Sequence, residues 1–133
     1  MSAGSGLAGP VSNLLLALIF TLGLLAVVLF LPGGGGLDFW QGSYFQLFKY
    51  GIRNNLILAF FNLIPIPPLD GSHILGNLLP RDAARSYERL RPYGFIILLA
   101  AVYFNLLTIF FLPARMLFTR LMKFVLLISS AAM

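Results

Sequence analysis

The feature that most constrains this chain is a run of prolines inside an apolar stretch: Phe61-Asn62-Leu63-Ile64-Pro65-Ile66-Pro67-Pro68-Leu69-Asp70-Gly71-Ser72-His73-Ile74. Pro65, Pro67 and Pro68 carry no backbone N–H, and each pushes its predecessor away from helical backbone angles. A helix entering through Leu56–Leu63 must therefore stop or unwind here. Gly71 then permits a sharp turn. Asp70 stands at the break, and His73, the chain's single histidine, follows shortly after it.

The surroundings decide what such a break means. Of 133 residues, 59% are hydrophobic and only 10% are charged, with a mean hydropathy of +0.93. Soluble domains carry about a quarter charged residues, so this composition describes an integral membrane protein. Unwound backbone at membrane depth is tolerated only where protein or water solvates it, and a carboxylate there marks a functional site. The chain has no cysteine, which excludes disulfides, thiolate metal ligands and a cysteine nucleophile. The net charge of +5 does not point to nucleic acid. Its basic residues lie near the ends of apolar spans, where they set topology and meet anionic headgroups.

Taken in order, residues 1–10 are small and read as flexible. The stretch from Val11 to Leu31 has no charge and is about 21 residues long, or roughly 31 Å as a helix, enough to span a bilayer. Pro10, Ser12 and Asn13 all suit its first turn. The start lacks a basic segment, so this reads as a membrane helix and not a cleavable signal. Pro32 and Gly33–Gly36 end it and form a link. Residues 37–50 mix Trp40, Tyr44, Phe45, Phe48 and Tyr50 with polar groups, the pattern of an interfacial loop or short surface helix. The next apolar run, 52–66, is too short to cross about 30 Å before its first proline. It is expected to continue past the break to residue 79 as one broken crossing. Asn54, Asn55, Asn62 and Asn77 lie along it. Amides in membrane helices usually bond across to neighbours; Asn62, close to the prolines, is expected to face the irregular pocket instead.

Arg81, Arg85, Arg89 and Arg91, with Asp82 and Glu88, are spaced like a short exposed helix. The positive-inside rule puts this loop, residues 80–92, in the cytoplasm. A third span is expected over 93–112, closed by Pro113. In the tail, 114–130, Arg115, Thr119, Arg120 and Lys123 fall within roughly a 140° arc, which predicts an amphipathic interfacial helix. The expected fold is one all-α membrane domain over 1–133. It has about three transmembrane helices, the second broken at Pro65–Pro68, plus the amphipathic C-terminal helix.

Asp70 and His73 would share a face if a helix restarts after Pro68. A catalytic zinc normally takes three protein ligands and an open water position. The remaining acids, Asp38, Asp82 and Glu88, lie in links. The apolar region thus offers two ligands at most, unless copies of the chain share them in a homo-oligomer.

The run Asn62-Leu63-Ile64-Pro65-Ile66-Pro67-Pro68-Leu69-Asp70-Gly71 resembles the signature of the site-2 protease family, intramembrane zinc metalloproteases. Upstream, Ala8-Gly9-Pro10-Val11-Ser12-Asn13 resembles the Ala-Gly-Pro stretch that opens the preceding core helix of that family. Tyr93-Gly94-Phe95 extends the likeness to the compact bacterial and archaeal branch, over most of residues 7–112. The resemblance implies that Asp70 is the third zinc ligand and that Asn62 helps hold the substrate strand. The other two ligands would be histidines of a His-Glu-x-x-His helix. The glutamate of that motif would deprotonate a zinc-bound water for attack on a peptide carbonyl. The implied substrate is a transmembrane segment of another protein. The implied setting is a multi-pass protein of a prokaryotic plasma membrane.

This sequence contains no His-Glu-x-x-His, so no catalytic residue is assigned in it. Relatives carry that helix before the Ala-Gly-Pro stretch. The expectation is therefore the C-terminal part of a peptidase core, a chain lacking its N-terminal third. The alternative is a pseudoprotease that binds transmembrane helices without cutting them. A third reading makes Asp70 the proton or cation carrier of a transport element. The expected partners are a membrane-protein substrate, the bilayer and a second copy, and not nucleic acid.

Overall fold

A computed structural model describes residues 3–32, 36–67 and 69–132, with side chains described from residue 7 onward; Gly33–Gly35 and Pro68 of the sequence motifs lie outside the described residues. The described residues form helices and turns, with no strand among them. In chain order these are α1 (Ala3–Phe30), α2 (Leu37–Gln41), α3 (Ser43–Asn62), α4 (Asp70–Leu78) and α5 (Arg81–Glu88). A 3₁₀ turn (Arg91–Tyr93), α6 (Gly94–Tyr103) and α7 (Thr108–Ala132) follow.

The main core joins α1, α3 and α7. Ala17, Leu24 and Val28 of α1, Ile52 and Leu56 of α3, and Ala114 and Val125 of α7 are buried together. Small residues let these helices approach, as they do in membrane bundles. Gly51, for example, receives the Phe20 ring, which a Cβ would meet at 2.7 Å. Helices α3 and α7 run antiparallel. Phe61 stacks on Phe111 at one end, with centroids 6.3 Å apart and planes at 22°. At the other end Trp40, just before α3, shares a cavity with Leu126, Leu127 and Ser129 of α7.

A second, smaller core forms behind the proline segment. Ile64 is fully buried against Ala101 of α6 and Leu107, with Phe61, Ile66, Leu69, Leu98 and Phe111 packed around them. The turn between α6 and α7 brings Leu107 there. Asn105 makes that turn at φ 57°, the left-handed region that asparagine tolerates better than most residues.

Several element bounds differ from those the sequence predicts. Helix α1 begins at Ala3, and Pro10 lies inside it, so residues 3–10 are helical. Helix α3 starts at Ser43, so the aromatic residues 43–50 belong to its first turns and not to an interfacial loop. The expected span 93–112 is broken at Asn105, and Pro113 lies inside α7 instead of ending a helix. As the sixth residue of α7, Pro113 forgoes one backbone bond, to Ile109 O, and the helix continues through it. The tail is not a helix with a free apolar face: Ala114, Leu117, Phe118, Leu121, Met122 and Val125 pack into the α1–α3 core.

By length and composition, one helix, Leu7–Phe30, is long and apolar enough to cross a membrane. The α5–α6 segment and α7, bent by 68°, make a second if they count as one broken span. Among the described residues this gives one or two candidate spans, which does not confirm the expected three.

Candidate metal centre at the proline break

Helix α3 unwinds as the prolines require. Leu63 and Ile64 still donate to Phe60 O and Phe61 O in a last helical turn, at 3.2 and 3.1 Å. Two tight turns follow, with Ile66 N on Ile64 O at 2.8 Å and Leu69 N on Ile66 O at 2.9 Å. Helix α4 restarts at Asp70, which is its first residue. A carboxylate there is favoured by the helix dipole. Ser72, fully buried, ties the restart together: its hydroxyl donates to Leu69 O at 2.7 Å, and its N–H donates to the same oxygen at 3.1 Å.

Gly71 does not serve as a turn residue. It lies within α4, and its need is for space. A Cβ there would overlap the carbonyls of Leu63 and Ile64. The start of α4 therefore lies directly on the unwound end of α3, which draws Asp70 and Asn62 to the same part of the fold. Asn62 is the last residue of α3 and is half-buried.

Asp70 faces α1. A Cβ on Gly9 would sit 2.7 Å from Asp70 Oδ2, so the Ala-Gly-Pro stretch and the proline signature meet through these two residues. Two further contacts hold the segment from the other side. Gly94 is so close to Pro67 that a Cβ would overlap the Pro67 carbonyl. The Tyr87 hydroxyl of α5 donates to Pro65 O. Burial pushes the Tyr87 phenol above its ordinary value of 10.0, against a smaller lowering by the Arg91 charge. The proton that makes this hydrogen bond is thus retained across the neutral range.

His73 follows a different course. It lies within electrostatic reach of Glu88 on α5, whereas Asp70 lies against α1. Glu88 is held below its ordinary value of 4.5, chiefly by a two-pronged hydrogen bond from Arg91 Nε and Nη2, each at 2.8 Å. The ion pair in this loop is therefore Glu88–Arg91, from the last residue of α5 to the turn that follows it. Among the asparagines, Asn55 does not bond across to a neighbouring helix: its amide donates to Gly51 O of its own helix at 2.7 Å.

The donor set decides what metal chemistry the described residues can support. No group of three or more His, Cys, Asp or Glu comes together among them. Asp70 offers one oxygen ligand, and a zinc peptidase centre requires three protein ligands. These residues alone do not fit a complete catalytic zinc site.

The fold and this site define an all-helical protein with an unwound, proline-rich segment presenting a carboxylate beside an apolar helix. The model of peptidase family M50 matches residues 37–104, and the chain belongs to that family, the site-2 proteases. Over 93 residues, 70% of this chain, it is 40% identical to the "Putative zinc metalloprotease YwhC" of Bacillus subtilis. Over 69 residues, 52% of this chain, it is 41% identical to the "Putative zinc metalloprotease MJ0611" of Methanocaldococcus jannaschii. The matches span 42% and 30% of those two proteins, so the chain covers less than half the length of either. No solved structure matches the chain.

Three residues of the site escape sequence reasoning in part. Gly9 and Gly94 are visible as motif members, but nothing in their spacing says that they touch Asp70 and Pro67. Tyr87 looks like one more residue of a charged loop. Its only sequence signal is that it is the aromatic exception in Arg81–Glu88.

Proposed function

We propose that this chain forms the substrate-side part of a membrane-embedded zinc metallopeptidase that cleaves transmembrane segments, with Asp70 as one zinc ligand and Asn62 as a substrate-positioning residue. The observation that carries this is the placement of Asp70. It is fixed at the restart of α4 against Gly9, with unwound backbone on one side and an apolar helix on the other. The names of the Bacillus and Methanocaldococcus relatives support zinc. Membrane residence is supported by α1 and by its exposed Leu15, Leu18, Ile19 and Leu22, an apolar surface that water would not tolerate. We place loop 80–92 on the cytoplasmic side from its arginines.

When bound, zinc would polarise a peptide carbonyl and activate water. This chain's own residues do three things there. Asp70 donates one carboxylate oxygen. The proline segment, unable to donate at Pro65 and Pro67, has its Ile64, Pro65 and Ile66 carbonyls taken up by Ile66 N, the Tyr87 hydroxyl and Leu69 N, so it stands as a fixed wall of the site. Asn62 offers both a donor and an acceptor to an extended substrate strand. The general base and the histidine ligands must come from another polypeptide segment.

The test is cleavage of a single-span reporter in vesicles that hold this chain together with a His-Glu-x-x-His helix supplied in trans. The expected result is cutting within the membrane that stops on zinc chelation and in Asp70→Ala. Reporter helices that are bound but never cut, with zinc present, would favour the pseudoprotease reading instead.

A further inference from the structure

Helices α3 and α7 leave a groove between them that the peptidase reading does not use. It encloses about 550 Å³ and is lined by Arg53, Ile57, Phe111, Arg115, Phe118 and Thr119. Two features set it apart from an ordinary surface cleft. First, arginines from two different helices, Arg53 of α3 and Arg115 of α7, line one cavity with no acid among its lining residues. Asp38, Asp70, Asp82 and Glu88 lie on α2, α4 and α5, and the ion pair among the described residues is Glu88–Arg91. Two like charges at a low-dielectric boundary repel each other and call for a counter-anion. Thr119 does not supply one, since its hydroxyl donates to Arg115 O at 2.9 Å.

Second, the groove is polar at one end and apolar at the other. Because α3 and α7 run antiparallel, Ile57 and Phe111 both lie one turn closer to the proline segment than Arg53 and Arg115 do. Past them the groove reaches the Phe61–Phe111 stack. A ligand that fits must carry an anionic head and an apolar tail, in that order.

We propose that this groove binds one anionic phospholipid, its phosphate between Arg53 and Arg115 and an acyl chain along Ile57 and Phe111. The proposal rests on the membrane residence argued above and not on the zinc chemistry. Charge complementarity selects the anionic headgroup, and the apolar end selects a lipid over a free phosphate ion.

The experiment is native mass spectrometry of the detergent-purified full chain titrated with phosphatidylglycerol or with phosphatidylcholine. Phosphatidylglycerol should be retained at one per chain with about tenfold or greater preference. The preference should fall at least about tenfold in the double variant Arg53→Gln/Arg115→Gln and survive in Arg53→Lys/Arg115→Lys, which keeps the charge. Arg85→Gln, on α5, should leave it unchanged. Inorganic phosphate in large excess should not displace the lipid. Equal retention of the two lipids by the wild-type chain would overturn the proposal, whether or not the variants fold. So would undiminished preference in the double glutamine variant. Displacement by inorganic phosphate would overturn the lipid assignment and leave an anion site.

Discussion

Asp70 Oδ2 lies where a side chain on Gly9 would begin: a Cβ there would be 2.7 Å away. The obstacle is the free end of a flexible carboxylate, which can swing aside. At Gly71 and Gly94 the obstacles are backbone carbonyls, of Leu63 and Pro67, which cannot. Gly9→Ala should therefore change stability by no more than about 0.5 kcal/mol, whereas Gly71→Ala and Gly94→Ala should each cost about 1–3 kcal/mol or more. Reversible unfolding in mixed detergent, followed by circular dichroism, measures all three.

Tyr87→Phe removes the hydrogen bond to Pro65 O and nothing else of the side chain. It should cost about 0.5–1.5 kcal/mol. It should also speed proteolytic nicking between Leu63 and Leu69, because this bond anchors that segment to α5. The phenol's pKa is raised in the fold. Its contribution is thus complete below the unfolded value of 10.0 and is lost as pH rises through the folded value. The variant should lack this alkaline loss.

Glu88 shows the opposite sign. Its folded pKa is depressed by Arg91, so its contribution is present above the unfolded value of 4.5 and is lost as pH falls through the folded value. Thermal midpoints should fall more steeply below pH 4.5 in the wild-type chain than in Glu88→Gln. Equal slopes would show that the pair contributes nothing measurable, as many exposed pairs do not.

Asn105→Ala should destabilise the fold. The residue holds φ 57°, where alanine carries a penalty of roughly 1–2 kcal/mol. Asn105→Gly should be close to neutral or better, since glycine reaches that region freely. The pair of variants separates backbone strain from any role of the amide, and chemical denaturation of each measures it.

What the sequence made legible follows from how local the physics is. The unwinding at Pro65 and Pro67 needs no distant partner: Pro10 and Pro113 each leave a single gap in a helix that continues, whereas two prolines two residues apart remove donors from the same turn. Asp70 at the restart followed from the same rule. The all-helical fold followed from long apolar runs without turn residues. The break at Asn105 was hidden because one asparagine in an apolar run carries no marker of a left-handed turn. The early start of α3 was hidden because Tyr44, Phe45 and Phe48 suit an interface and a helix equally well. The C-terminal helix was read by its basic arc as a surface element, yet its apolar face meets α1 and α3, a contact between residues far apart in the chain. Gly94 on Pro67 and Tyr87 on Pro65 are likewise long-range, and spacing cannot show them.

The most direct measurement is metal content of the detergent-purified chain assembled with a His-Glu-x-x-His helix, comparing wild type, Asp70→Ala and His73→Ala. Zinc near one per assembly, lost in Asp70→Ala and kept in His73→Ala, is the expected result. Zinc that persists in Asp70→Ala, or that leaves with His73, would contradict the assignment of Asp70 as the ligand.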